Sequence, residues 1–103
     1  MSIQPDESDL IGSWVFDGNR VTRDAVEQRI EKLIGSYLEE ISISPESGAW
    51  EVLYRDPNDG RFWELTYPQS EMHGGGPKRL TNISDEMAAS KYQDNSTGFL
   101  DLR

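Results

Sequence analysis

Apolar residues recur at spacings of three and four most clearly between Thr22 and Ile41, at Val26, Ile30, Leu33, Ile34, Tyr37, Leu38 and Ile41. This spacing puts them on one side of a helix, so the stretch is expected to form a long amphipathic helix with a broad apolar stripe. Thr22 or Asp24 can cap its start, and Glu27 stands three residues after Asp24 as in a capping box. Gly35 costs roughly 1 kcal/mol relative to alanine inside a helix, and it marks a place where a sheet can approach closely. Pro45 forces its predecessor into extended backbone, so the helix must end before it.

Elsewhere the period is two. The run "AWEVLYRD" puts Trp50, Val52 and Tyr54 on one side of a strand. The turn "PNDG" follows, and "RFWELTYP" returns with Phe62, Glu64 and Thr66 on one side and Trp63, Leu65 and Tyr67 on the other. Earlier, "LIGSWVFDGNRVT" reads as a short hairpin with Asp17-Gly18 as the turn dipeptide. After Pro68 comes a loop with a short strand near Leu80 to Ile83, then a short helix "DEMAASKY" capped by Ser84. The expected fold is α+β: a small antiparallel sheet packed against one long amphipathic helix, plus a short C-terminal helix. The expected core is Trp14, Ile30, Leu33, Ile34, Tyr37, Trp63 and Leu65. Residues 1–9 are read as a flexible acidic N-terminus, 10–92 as a single domain, and 93–103 as a tail or short edge strand.

Composition narrows the function classes. The chain has 103 residues, no cysteine and one histidine. Disulfides and thiolate metal sites are therefore excluded, and no histidine-based metal site can be assembled. The first residues carry no secretory pattern, no run is long enough to span a bilayer, and the expected location is cytoplasmic. Nineteen acids against ten bases leave a net charge of −9, all of it within the first 71 residues. Such a surface disfavours direct binding to nucleic acid and favours a basic protein partner.

The segment "SEMHGGGPKRL" holds the most conspicuous chemistry. His73 with Glu71 is a candidate pair for proton transfer, but no further partner accompanies it. Gly74, Gly75 and Gly76 match neither a phosphate loop nor a dinucleotide fingerprint. With Pro77 they read as a structural loop, with an anion nest beside Lys78 and Arg79 as the alternative. "DPNDG" lacks the spacing of a calcium loop. Glu51 and Glu64 on neighbouring strands are the remaining pair that a hydrolase would need. No catalytic residue, metal site or cofactor is assigned.

The block from Leu53 to Leu80, with "LYRDP", "DGR", "WELTYP" and "GGGP" in order, resembles the immunity protein 27 family of bacterial polymorphic toxin systems. The similarity extends from about Leu10 to Tyr92. The resemblance implies a non-enzymatic inhibitor that binds a cognate toxin in the cytoplasm; the expected mechanism is occlusion of the toxin's active site or substrate-binding surface, and the expected state is a monomer. The charge adds that the toxin is basic, for instance a nuclease. Interface candidates are Asp56, Asp59, Glu64, Glu71, His73 and Arg79, with Trp63 or Tyr67 as an anchor if exposed. Two alternatives stay open: a small hydrolase using glutamates and His73, and an acidic mimic of nucleic acid.

Overall fold

The computed structural model describes residues 2–44, 51–69 and 76–92. The expectations for Trp50, Glu71, His73, Gly74, Gly75 and the tail 93–103 lie outside the described residues. The elements are β1 (Asp9–Ile11), β2 (Trp14–Asp17), β3 (Arg20–Arg23), α1 (Ala25–Ser36), β4 (Glu39–Ile43), β5 (Val52–Arg55), β6 (Phe62–Thr66), β7 (Arg79–Ile83) and α2 (Asp85–Tyr92). Five strands form one sheet in the order β1-β7-β6-β5-β4, while β2 and β3 form a separate two-stranded sheet. Every paired neighbour is antiparallel. Among the described residues no helix is long and apolar enough to cross a membrane.

The alternation in β6 separates two cores. Trp63 and Leu65 join Ile30, Leu33, Leu10 and Leu80 on the α1 side. Phe62 joins Leu53, Ala88 and Tyr92 on the α2 side. The molecule is thus a sheet with a helix against each face. Ile30, Leu33, Leu53, Trp63 and Leu80 have no exposed surface, and burying each such side chain contributes roughly 1.5–3 kcal/mol. Ile34 and Tyr37 are partly buried against the α1 core, and Trp14 is half-buried at the base of the β2–β3 hairpin.

The amphipathic helix is shorter than its pattern suggested. It has 12 residues and stops at Ser36 instead of continuing to Ile41. The N–H groups of Tyr37 and Leu38 both donate to the Leu33 carbonyl, at 3.0 and 2.8 Å, which closes the last turn. Beyond it the β-branched Ile41 and Ile43 enter an edge strand paired with β5. Leu38 belongs to the α1 core and Ile41 to the α2 core, so the two never shared one helical stripe. An extra residue between Glu40 and Ser42 makes a bulge in this exposed edge, a device that discourages pairing with another chain.

Two smaller corrections concern the N-terminal third. Residues 2–9 are not detached from the core: Ile3 is 3% exposed, and Arg29 donates two hydrogen bonds to the Glu7 carboxylate at 2.6 and 2.7 Å. Arg61 adds donations to the carbonyls of Glu7 and Gln4, at 2.7 and 3.0 Å. In the β2–β3 hairpin, Asp17 pairs with Arg20, so the turn is Gly18-Asn19 instead of Asp17-Gly18. Gly18 has φ +67°, the left-handed geometry that two-residue hairpin turns require.

Candidate functional site

The residues singled out from the sequence occupy unlike environments. Asp56 opens the β5–β6 turn and is completely buried. It accepts hydrogen bonds from the Tyr37 hydroxyl at 2.7 Å and the Asn58 N–H at 2.8 Å. That role removes Asp56 from any surface contact, because its carboxylate organises the turn. The bond to Asp56 pushes the Tyr37 phenol up to about 12. Asp59 is exposed and receives the Arg61 guanidinium at 2.7 Å. Arg79 reaches Asp9 across the β1–β7 pair at 2.8 Å. Gly76 and Pro77 are buried. Gly76 has φ +75°, and a Cβ there would stand 2.5 Å from the Gln69 carbonyl oxygen, so the backbone crossing accepts only glycine.

The carboxylate pair that a hydrolase would need is engaged. Lys91 of α2 donates to Glu51 at 2.8 Å and to Glu64 at 2.6 Å. Glu64 also accepts from the Tyr92 hydroxyl at 2.8 Å. Glu64 therefore ties α2 to the sheet, with a side chain only 14% exposed. Trp63 is fully buried and so is not a surface anchor, whereas Tyr67 is half-buried against the α1 core. Among the described residues no group of three or more His, Cys, Asp or Glu is placed to hold a metal ion.

A cleft of about 540 Å³ lies between the β2–β3 hairpin, the first turns of α1 and the segment from Gly76 to Lys78. Its floor is Glu27, which sequence pattern placed in a capping box. Asp24 does cap α1, accepting from the Glu27 N–H at 2.7 Å. The Glu27 side chain does not return the bond, since the Asp24 N–H donates to the Ser13 carbonyl. Instead Glu27 is wholly buried and receives the Lys78 N–H at 2.8 Å and the Lys78 ammonium at 3.1 Å. Glu31 takes a second bond from the same ammonium, at 3.1 Å. Burial works against the charge of Lys78, but these bonds outweigh it and raise its pKa above the ordinary value. Lys78 bridges the two carboxylates and Arg23 also reaches Glu31, at 3.2 Å, so both acids of the cleft wall are held in ion pairs.

The hairpin above this cleft is apolar and exposed. Phe16 is 81% exposed and Val21, its cross-strand partner, 56%. Pattern alone read both as ordinary strand residues. The signal that was available is the shortness of the hairpin: four-residue strands with β-branched or aromatic residues at neighbouring positions cannot hide all of them against one core.

A family model described as Immunity protein 27 matches residues 16–84, more than half of the chain. Neither a curated protein nor a solved structure matches it.

Proposed function

Because this chain belongs to the immunity protein 27 family, we propose that it protects the cell producing it by binding a cognate bacterial toxin domain in the cytoplasm and covering its substrate cleft. The family match carries this reading. The protein acts as a monomer and by occlusion, without chemistry of its own. The toxin is a basic protein, such as a nuclease, since a net charge of −9 steers encounter with an oppositely charged surface. Asp6, Glu40, Asp85 and Glu86 support this: they are exposed and make no ion pair among the described residues. Asp59 and Arg79 are proposed for the rim of the contact, together with Glu71 and His73.

Co-expression tests the proposal. The gene beside this one is expressed with and without the immunity protein, and growth and complex formation are followed. Survival with a stable complex is expected. Equal killing in both cells, with no complex, overturns the reading.

A further inference from the structure

Six large hydrophobic residues are exposed among the described ones, and four of them, Ile11, Val15, Phe16 and Val21, fall within one stretch of eleven positions. Phe16 and Val21 face each other across β2 and β3, so their side chains share one side of the hairpin and form a single patch near its turn. Val15 is 43% exposed on the opposite side. Val21 lines the cleft beside α1 yet is still 56% exposed, and Phe16 is 81% exposed, so little of either is buried against the rest of the molecule. Two strands alone are marginal in water, and this pair is secured at its base, where the Asp24 N–H donates to the Ser13 carbonyl at 2.9 Å. The tip is left to present its side chains.

The hairpin carries two arginines, Arg20 and Arg23, against one acid, Asp17, so it lacks the acidic excess of the whole molecule. Arg20 and Arg23 are the cations of β3, and the Arg23 side chain is 57% exposed even while reaching Glu31 at 3.2 Å. Lys32 is exposed on the adjoining surface of α1. A second copy of this chain is a poor occupant, since a symmetric contact would bring the same arginines towards one another. It would also join two bodies of charge −9. The complementary surface is an apolar pocket with carboxylates at its rim.

We propose that the β2–β3 hairpin is the anchor by which this protein holds its toxin, with Phe16 and Val21 entering an apolar pocket and Arg20 and Arg23 meeting acidic groups around it. This rests on the immunity reading and locates its contact. Long-range attraction by the acidic body and local anchoring by a basic, apolar tip are separate functions, one acting on encounter and the other on residence.

The test is biolayer interferometry with the purified toxin domain encoded beside this gene. Phe16→Ser is expected to weaken binding about 30-fold, chiefly through faster dissociation, as for a central aromatic anchor. Arg20→Glu is expected to weaken it about tenfold, and Ser90→Ala on the exposed side of α2 to leave it within twofold. Melting temperatures should be unchanged, because Phe16 is 81% exposed. Should Phe16→Ser fold poorly, Val21→Thr retains the β-branched backbone preference and must show the same loss of affinity. Tight binding by the parent protein with undiminished affinity of the hairpin variants overturns the hairpin proposal alone. No binding by the parent protein overturns the immunity reading and the proposal with it. A dimer of the parent protein that Phe16→Ser dissolves assigns the patch to self-association and also overturns the proposal.

Discussion

At the scale of single residues, Glu27 shows most clearly how side-chain chemistry shapes the cleft. A carboxylate with no exposed surface is tolerable only because Lys78 supplies both a backbone donor and an ammonium. Removing the carboxylate leaves the Lys78 N–H without its acceptor and the ammonium with Glu31 alone. Glu27→Ala is therefore expected to cost about 3–5 kcal/mol in urea unfolding, as broken buried pairs do. Glu27→Gln keeps an acceptor for the N–H and should cost less than half as much. The packing around this pair is equally restrictive. A Cβ on Gly12 would overlap Glu27 Oε1 and stand 2.9 Å from the Lys78 carbonyl oxygen. Gly12→Ala should thus cost about 1–3 kcal/mol, by overpacking, and unchanged stability in either set of variants would remove Glu27 from its proposed structural role. None of this was legible in sequence. Glu27 lies at a position that a capping box explains fully, and its actual partner is 51 residues away.

At the scale of elements, α2 depends on few contacts. Ala88 and Tyr92 are its buried residues, and its polar attachments to β6 converge on Glu64. Tyr92→Phe keeps the ring in place and deletes only the hydroxyl bond to Glu64. It is expected to lower stability by about 1.5–3 kcal/mol, the range for hydrogen bonds to charged groups. Amide hydrogen exchange should quicken first in α2, and a uniform change across the sheet would show that the helix is not separately held. The existence of this helix was readable from Ser84, whose hydroxyl accepts from the Met87 N–H at 3.0 Å as an N-cap should. The two faces of β6 were readable too, because Trp63 and Phe62 alternate strictly. The end of α1 was not. Leu38 and Ile41 continue a spacing of three that a helix would produce, and only the sheet reveals that one points to each core. Local periodicity cannot report on a partner strand that arrives later in the chain. The exposed hairpin escaped for a related reason: apolar alternation identifies a strand but does not say whether anything covers it.

For the whole molecule, charge enters both the proposed encounter with a toxin and the dependence of stability on pH. If the acidic body steers a basic toxin, raising salt should slow association much more than it speeds dissociation, and stopped-flow rates that ignore salt would exclude steering. The pH dependence follows from paired groups on two sides of neutrality. The hydrogen bonds from Arg29 hold the Glu7 carboxyl down to about 2, against an ordinary value of 4.5. Arg79 similarly lowers Asp9. A depressed carboxyl favours the folded state when ionised, so this stabilisation is complete above pH 4.5 and disappears as the pH falls towards 2. The tyrosines act in the opposite direction. Tyr37 is raised to about 12 by its bond to Asp56, and burial with the Glu64 bond raises Tyr92 further. A raised phenol stabilises the folded state only while the unfolded chain also keeps its proton. That contribution is full below pH 10 and is lost as the pH climbs through 12. The melting temperature, followed by circular dichroism, should therefore form a plateau through neutrality and fall on both flanks. Glu7→Gln should lower the plateau and shallow the acid flank alone, because only the ionised carboxylate responds to that proton. Tyr37→Phe should do the same on the alkaline flank. If either variant lowers the plateau but leaves its own flank as steep as before, the corresponding ion pair or hydrogen bond is not the source of the pH dependence.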